Sequence, residues 1–242
     1  MMRLDKYLCE AGAGTRSEVK ELIRRGRITV NEKPAGKPEQ KISETSDSVC
    51  LDGQPVLAAG NVYYMLNKPA GYVSSTVQTD GPSVLDLLAD APGKGLFPAG
   101  RLDRDTEGLL LITNDGKLSH DLLSPKKHVE KEYYAKIEGI VTEEDVVRFE
   151  EGLDIGEKRR TLPARLLILQ SGTESEILLT IREGKFHQVK RMFEAVGKRV
   201  VYLKRVSMGS LTLDEALAPG AYRPLTADEL LALKTPKGKS NE

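Results

Sequence analysis

Three carboxylates and two arginines lie within the ten residues 99–108, directly before the apolar run 109–113. A short apolar run bounded by turn residues is typical of a buried strand. Polar loops at strand ends often carry functional groups, because the sheet fixes their position while substrate reaches the tip. A carboxylate in such a loop can act as a nucleophile, a general acid or a general base. Residue type alone leaves Asp103, Asp105 and Glu107 open for these roles.

A basic segment further along the chain can supply a cation to such a carboxylate. Four apolar residues repeat at the spacing of one helix face: Val189, Met192, Phe193 and Val196. This spacing predicts a helix from about residue 187 to residue 196. Lys190 is one residue away from the apolar face, so its side chain is expected at the edge of the core. Taken alone, Lys190 also fits a solvated helix lysine.

The segments that position these groups are mostly strands. Runs rich in apolar and β-branched residues predict strands at 62–66, 109–113, 131–137, 164–169 and 177–181. Capping boxes that start at Thr142 and Thr226 predict two further helices. Because strands and helices do not alternate regularly, the predicted fold class is α+β rather than a doubly wound sheet.

The first 55 residues or so have a different pattern, with two short helices followed by short strands. Apolar spacing marks the first helix, residues 12–14 end it, and Thr15 or Ser17 is placed to cap the second. Five cations fall largely outside the apolar face of the second helix: Arg16, Lys20, Arg24, Arg25 and Arg27. These side chains are expected to face solvent or a partner.

The charges of the chain balance overall but are unevenly distributed. The 242 residues hold 36 Lys and Arg and 36 Asp and Glu, a formal net charge of zero. Residues 1–41 carry a net charge of +4 and residues 182–205 a net charge of +6, whereas residues 138–158 carry −6. Because association depends on the local field, the neutral total does not argue against a nucleic-acid partner.

Composition and motifs exclude several classes of protein. The chain is 30% charged and 39% hydrophobic, which is typical of a globular protein. No apolar run approaches the roughly 20 residues that span a bilayer, and the N-terminus lacks a signal-peptide pattern, so we expect a cytoplasmic protein with no membrane partner. Cys9 and Cys50 lack CxxC spacing, and His120, His128 and His187 lack metal-ligand spacing. Neither a zinc site nor a disulfide framework is expected.

The N-terminal pattern resembles the S4 RNA-binding domain. The matching features are MRLDKYL, the small-residue turn, RSEVKELIRRGRITVN and the later Val-Cys-Leu-Asp-Gly. The resemblance implies that the second helix and the turn after it present cations to RNA phosphates. Seven residues are assigned to this role: Arg3, Lys6, Arg16, Lys20, Arg24, Arg25 and Arg27. The alternative is a small helical satellite domain without an RNA role.

The rest of the chain resembles the pseudouridine synthases of the small-subunit ribosomal type, the RsuA family. The signature is GRLDRDTEGLLLITNDG, and MLNKPAGYVSS, VEKEYYAKIEG, IREGKFHQVKRMFEAVG and LTLDEALAPGAYRPLTADEL agree with it, so the resemblance covers essentially all of residues 1–230. It implies a catalytic domain built on a mixed, mainly antiparallel sheet with flanking helices. The expected organisation is an S4-like domain at 1–58, a linker over 55–61, a catalytic domain at 62–233 and a disordered polar tail at 234–242.

The resemblance implies conversion of a uridine in ribosomal RNA to pseudouridine, with no cofactor and no metal. Asp103, the aspartate of RLD, matches the nucleophile, and Lys190 matches the basic residue that pairs with it. Tyr133 matches a tyrosine that stacks on the uracil and is a candidate for proton transfer at C5, whereas Tyr134 is the alternative on the opposite strand face. Arg101 helps to hold the flipped nucleotide. Further substrate contacts are assigned to Leu102, Lys68, Lys185 and Arg191.

The implied partner is 16S ribosomal RNA, alone or in an assembling small subunit, and the implied target is of the uridine 516 type. Lys-Phe-His-Gln at 185–188 replaces the Asn-Arg-Gln common in large-subunit relatives, which favours a small-subunit target. Nothing in the sequence asks for more than a monomer. Three alternatives stay open: a synthase acting on large-subunit RNA, a non-catalytic ribosome-assembly factor, and a glycosidase that uses Asp103 with Asp105 or Glu107.

Overall fold

The computed structural model of the protein describes residues 1–43, 47–56, 60–76 and 81–235. The chain forms two compact units. The small unit comprises Met1–Val62 with Ala91–Leu96, and the large unit comprises Tyr63–Asp90 with Phe97–Glu242. None of the helices in the described residues is long and apolar enough to cross a membrane.

The small unit packs two helices against short strands. In chain order its elements are β1 (Met2–Arg3), α1 (Leu4–Glu10), α2 (Arg16–Arg24), β2 (Ile28–Val30), β3 (Lys33–Pro34), β4 (Lys41–Ile42), β5 (Val49–Leu51) and β6 (Gln54–Pro55). Strands β3, β2, β5 and β6 form one sheet in that order, and β1 pairs with β4. Of the two expected caps, Thr15 begins α2: its hydroxyl accepts from the N–H of Glu18, whose carboxylate accepts from the N–H of Thr15.

The large unit is built around one sheet. Its elements are β7 (Tyr63–Lys68), β8 (Phe97–Pro98), β9 (Glu107–Thr113), α3 (Gly116–Leu123), β10 (Lys131–Glu138), α4 (Glu143–Glu151), β11 (Arg165–Gln170), β12 (Glu174–Ile181), α5 (Gln188–Glu194), β13 (Arg199–Met208), β14 (Leu211–Thr212), β15 (Tyr222–Pro224) and α6 (Ala227–Lys234). Two 3₁₀ helices, Val84–Leu88 and Pro125–Lys127, complete the described elements. All five predicted strands are present, and the capping boxes at Thr142 and Thr226 begin α4 and α6.

The sheet of the large unit has the strand order β11-β12-β10-β13-β9-β7-β15, with β14 paired to β13 and β8 paired to β9. Every pair is antiparallel except β13 with β9, where Lys204 lies opposite Glu107 and Arg205 lies opposite Gly108. The sheet is therefore mixed and mainly antiparallel. The predicted α+β fold class is confirmed.

The central strands β7 and β9 are buried on both faces, whereas β10 has one buried face. In β10 the side chains of Lys131, Tyr133, Ala135 and Ile137 are buried, whereas those between them are partly exposed. Helix α5 packs against β13 and α4 packs against β11. The apolar residues of α5, including Met192 and Phe193, are fully buried, so this short helix has a fixed position over the sheet.

Some boundaries differ from the sequence predictions. Pro55, expected in the linker, lies in β6, and the carbonyl of Val56 accepts a 2.7 Å hydrogen bond from the Tyr7 hydroxyl, so both belong to the small unit. Lys234, expected to start the tail, is the last residue of α6. Residues 57–59 of the expected linker and 236–242 of the expected tail lie outside the described residues. Helix α5 is shorter than expected at both ends: it begins after His187, which has a left-handed backbone (φ 49°), and it ends at Glu194.

Candidate active site

The loop between β8 and β9, residues 99–106, carries Asp103 and is tied to the chain that follows β7. The Ser74 hydroxyl accepts a 3.1 Å hydrogen bond from the N–H of Leu102 and donates a 3.0 Å bond to the carbonyl of Leu102. The N–H of Gly71 donates to the carbonyl of Arg104 at 2.8 Å. A turn closes within the loop, where the N–H of Thr106 donates to the carbonyl of Asp103 at 3.1 Å. These bonds fix the backbone on both sides of Asp103.

Lys68, at the end of β7, holds the same loop from the interior. Its side chain is fully buried, and Nζ donates to the carbonyls of Thr106 (2.7 Å), Pro69 (3.1 Å) and Arg104 (3.2 Å). Burial lowers the pKa of Lys68 from 10.5 to about 8, although attraction to Asp105 and Asp103 opposes this effect. The prediction that Lys68 contacts a substrate phosphate is wrong for this structure. Its ammonium group is enclosed and used to position the loop.

Gly108 brings strand β13 next to the end of the loop. Its φ is +99°, and a Cβ atom there would lie 2.2 Å from the carbonyl oxygen of Arg205. Only glycine tolerates both the positive φ and the close approach. Strand β13 can therefore run parallel to the start of β9, four residues after Asp103, with the Arg205 guanidinium donating to the carbonyl of Leu109 at 2.8 Å.

Helix α5 supplies a cation to two carboxylates of the loop. Lys190 Nζ lies 3.5 Å from Asp103 Oδ2, and it lies closer to Asp105, at 2.6 and 2.8 Å from the two carboxylate oxygens. His187 Nε2 lies 3.7 Å from Asp103 Oδ1. The Asp103 side chain is 25% exposed, against 72% for Asp105. Asp103 is thus a partly enclosed carboxylate with two nitrogen groups beside it and one side open to a ligand.

Asp105 is the stronger ion-pair partner of Lys190. Burial raises the pKa of Asp105, but the hydrogen bond from Lys190 and the attraction to its charge outweigh this effect, so the pKa is lowered overall. A carboxyl group with a lowered pKa is a poor general acid near neutral pH. Asp105 is therefore suited to holding Lys190 in place rather than to donating a proton.

The two adjacent tyrosines of β10 face opposite sides of the sheet. Tyr133 is buried and lies opposite Arg205 of β13. Arg205 in turn lies opposite Gly108, so Tyr133 is two strands away from β9, or roughly 10 Å at the usual strand spacing. Tyr134 packs edge-on against Tyr202 on the other face, and a hydrogen bond to Glu176, together with burial, raises its pKa to about 12.

Comparison with known proteins assigns both parts of the chain. Residues 62–195 match the RNA pseudouridylate synthase family and residues 2–49 match the S4 domain. A Bacillus subtilis (strain 168) protein described as an uncharacterized RNA pseudouridine synthase, YtzG, is 45% identical over 98% of this chain and 100% of its own length. The ribosomal small subunit pseudouridine synthase A of Escherichia coli (strain K12) is 43% identical over 96% of this chain and 100% of its own. This chain belongs to the RsuA family of pseudouridine synthases.

A solved structure agrees with this assignment. A crystal structure of a pseudouridylate synthase matches this synthase with a TM-score of 0.68 and 39% identity, over 96% of this chain and 100% of the other. The resemblance that the sequence motifs indicated is confirmed, and the protein is an isomerase that acts on RNA. The RLD aspartate and the HQVK lysine, 87 positions apart, meet in this synthase within one ion-pair distance.

The other residues predicted to contact the substrate differ in exposure and in the partners that their side chains bind. Arg101 is exposed at the start of the loop, whereas the Leu102 side chain is buried and serves the loop through its backbone bonds to Ser74. Lys185 Nζ donates to the carbonyls of residues 159 and 160 at 2.9 and 3.0 Å. Arg191 donates to Glu157 at 2.8 Å and to the carbonyl of Phe186 at 3.1 Å. The Leu102 side chain is buried and does not face a substrate here, whereas Lys185 and Arg191 bind within the protein but stay 21% and 24% exposed, so their assignment as substrate contacts stays a prediction.

The synthase carries a basic surface that was not predicted from the sequence. Lys158, Arg159 and Arg160 are exposed and are tied to the segment before α5 through Lys185. Lys158 was counted at the end of the acidic block 138–158, and this averaging hid the three consecutive cations. A shorter charge window would have found them.

The seven S4-domain cations are all exposed in the small unit. Five of them form ion pairs with nearby carboxylates: Arg3 with Asp5 and Glu39, Lys6 with Glu10, Arg24 and Arg25 with Glu21, and Arg27 with Asp52. Arg16 and Lys20 have no salt-bridge partner among the described residues. Exposed ion pairs are weak and exchange readily for phosphate, so the pairing does not prevent RNA contact.

Within the described ranges, no three His, Cys, Asp or Glu side chains group closely enough to hold a metal ion.

Proposed function

We propose that this synthase converts a specific uridine of small-subunit ribosomal RNA, of the position 516 type, to pseudouridine, with Asp103 as the nucleophile. The observation that carries the proposal is the Asp103–Lys190 pair, 3.5 Å apart, on a loop fixed by Lys68 and Ser74. The relatives named for the small ribosomal subunit, which are 42–43% identical over nearly the full chain, support the choice of RNA.

The reaction requires a nucleophile that both attacks and leaves. The target uridine first rotates out of its stack, since its reacting atoms are inaccessible within a helix. In the route through the ribose, an Asp103 oxygen bonds to C1′ as the bond from C1′ to N1 breaks, and the uracil departs as an anion. The uracil turns, C5 bonds to C1′, and the carboxylate is released. The C5 proton is lost and N1 gains a proton, so the product is an isomer of the substrate. Attack at C6 of the uracil is the alternative first step.

Lys190 and Tyr133 have separate parts in this proposal. Lys190 places its ammonium group 3.5 Å from an Asp103 oxygen, where the two opposite charges attract each other. Tyr133 is assigned to the rotating uracil and is the candidate for the C5 proton transfer. Tyr133 lies on the buried face of β10 and Tyr134 on the other face against Tyr202, and the match to the family motif favours Tyr133 of the two.

The electrostatics of the loop argue against hydrolysis by a carboxylate pair. A glycosidase needs a second carboxyl group that carries a proton near neutral pH. The pKa of Asp105 is lowered rather than raised, and Glu107 accepts a 2.7 Å hydrogen bond from the Tyr202 hydroxyl. Neither group is a suitable acid partner for Asp103.

The test compares wild type, Asp103→Asn and Asp105→Asn on unmodified small- and large-subunit ribosomal RNA. Pseudouridine is mapped by carbodiimide treatment and reverse-transcription stops. We expect one stop in small-subunit RNA with wild type, the same stop at a lower rate with Asp105→Asn, and none with Asp103→Asn. Asp105→Asn is the matched control, because it removes the same charge from the same loop. Activity in Asp103→Asn would remove the nucleophile assignment, and a stop confined to large-subunit RNA would overturn the target.

A further inference from the structure

All but one of the Phe and Tyr side chains in the described residues are at least partly buried. The sequence contains 4 Phe, 8 Tyr and no Trp. Phe149 and Phe193 are fully buried, Phe97 and every tyrosine are at least partly buried, and Phe186 is 68% exposed. Single exposed apolar side chains are common on protein surfaces, so the exposure of Phe186 gains its meaning from the fixed backbone, the stacked His187 and the neighbouring Asp103.

Phe186 is held in this exposed position by a well-bonded segment. The backbone N–H of Lys185 donates to the Gln188 side chain at 2.9 Å, and Gln188 donates to Glu183 at 3.0 Å. The carbonyl of Phe186 accepts from Arg191. Bonds therefore fix the chain on both sides of Phe186, and the ring does not owe its exposure to a loose loop.

His187 forms a second ring layer with Phe186. The two ring centroids are 3.8 Å apart and the planes are 19° from parallel. Consecutive side chains diverge on helices and point to opposite faces on strands, so neighbours rarely stack. The left-handed backbone of His187 (φ 49°, ψ 34°) is what turns the two rings face to face. Such a conformation is uncommon outside glycine and is retained where the surrounding structure fixes it.

This ring pair adjoins both the nucleophile and the missed basic surface. His187 Nε2 lies 3.7 Å from Asp103. Lys185, next to Phe186 in the chain, binds the carbonyls of Arg159 and Arg160, whose side chains are exposed. An exposed aromatic surface with cations around it is the usual arrangement for binding unstacked RNA bases and the phosphates that link them.

We propose that Phe186, backed by His187, is a stacking platform for the nucleobase next to the target uridine. This inference rests on the proposed function. When the target uridine leaves its stack, its neighbour loses one stacking partner. The Phe186 ring replaces that partner, which stabilises the flipped-out state and holds the strand in register beside Asp103. Phe186 is thus a positioning residue that acts on the RNA and not on the reacting atoms.

The test measures initial rates for wild type, Phe186→Leu and Phe186→Tyr on an RNA fragment that wild type modifies. Phe186→Leu keeps an apolar side chain but removes the ring, and we expect KM to rise about 5- to 150-fold, the range that one base–aromatic stack gives by alanine substitution. Phe186→Tyr restores KM to within about twofold of wild type. Leu167→Ala, an exposed apolar position on β11, is the matched control and leaves KM unchanged.

A modified substrate separates stacking from a structural effect. Two RNA fragments each lack one base, on the 5′ or the 3′ side of the target uridine. With one of these fragments, we expect the KM of wild type to rise to the value that Phe186→Leu has on the intact fragment. The KM of Phe186→Leu does not rise further with that fragment, since both changes remove the same contact. The platform would be overturned if, with both fragments, the missing base raised KM by the same factor in wild type and in Phe186→Leu. Failure of wild type to form pseudouridine in any small-subunit RNA would instead overturn the proposed function.

Discussion

Lys68 offers the most quantitative test of how the Asp103 loop is positioned. Its buried ammonium group donates to the carbonyls of Pro69, Arg104 and Thr106, and the last two flank Asp105 in the loop. Lys68→Met keeps most of the side-chain volume but removes the charge and all three hydrogen bonds. We expect the variant to fold, to lose loop order and to show a pH-dependent loss of stability relative to wild type.

The magnitude follows from the pKa of Lys68, which burial lowers from 10.5 to about 8. A shift of this size corresponds to about 3 kcal/mol at about 1.4 kcal/mol per pKa unit. Below pH 8 Lys68 is protonated in both the folded and the unfolded state, and the folded protein bears the full cost of burying the charge. Between pH 8 and 10.5 the unfolded chain binds more protons, so the stability of wild type rises with pH. Lys68→Met lacks this gain.

The assay is urea unfolding of wild type and Lys68→Met at about pH 7, 8, 9 and 10. At pH 7 the lost carbonyl bonds and the relieved charge burial largely offset each other, so the variant is only slightly less stable. By pH 10 we expect the difference in the free energy of unfolding to have grown by about 2–3 kcal/mol. Lys136→Met, which removes a partly exposed lysine from β10, is the control and shows no such trend. A Lys68→Met difference that is constant with pH, or that shrinks, would refute the reasoning.

Two further pairs of variants separate charge from geometry. We expect Lys190→Met to lower kcat at least about 100-fold, because it removes the cation beside Asp103. Asp105→Asn is expected to lower kcat less than about tenfold, because that cation remains. Equal initial rates for the two variants would contradict this. Gly108→Ala would place a Cβ atom 2.2 Å from the carbonyl oxygen of Arg205, and we expect it to lower the free energy of unfolding by about 3 kcal/mol or more. Gly116→Ala adds a Cβ with open space around it and is expected to change the free energy of unfolding by less than about 1 kcal/mol. Equal urea midpoints for the two glycine variants would show that the close approach is relaxed without cost.

Local signals predicted the elements well, because those signals are themselves local in the structure. The Thr142 and Thr226 capping boxes use groups three residues apart, and the sequence spacing is sufficient to identify them. The apolar run of β9 and the strand pattern of β10 were likewise recognisable from the sequence. Strand β13 was missed although it has ten residues, because its Arg and Lys residues were counted within the basic block 182–205. Its β-branched and aromatic residues were the available signal.

The roles of individual cations were less predictable than the elements. Sequence gives the charge of Lys68 but not its surroundings, and burial at the end of β7 converts an expected phosphate contact into a support for the loop. Arg191 is partly exposed, but its donors are likewise used within the protein, by Glu157 and the carbonyl of Phe186. Long cationic side chains reach several ångströms from their Cα atoms, so the acceptor that they find depends on non-local packing. No residue spacing encodes that choice.

The site therefore separates two requirements that the proposed reaction places on Asp103. The position of Asp103 is fixed through backbone bonds from Ser74 and Lys68, whereas its charge is supported by Lys190 from α5, an element far away in sequence. Because these supports share no atoms, losing the position should change how the RNA fits, and losing the charge should change the chemical step. Asp105 connects the two, since its backbone lies in the fixed loop and its carboxylate holds Lys190 at 2.6 Å. This link explains why a second carboxylate, with a lowered pKa, lies two residues from Asp103 without needing a proton-transfer role of its own.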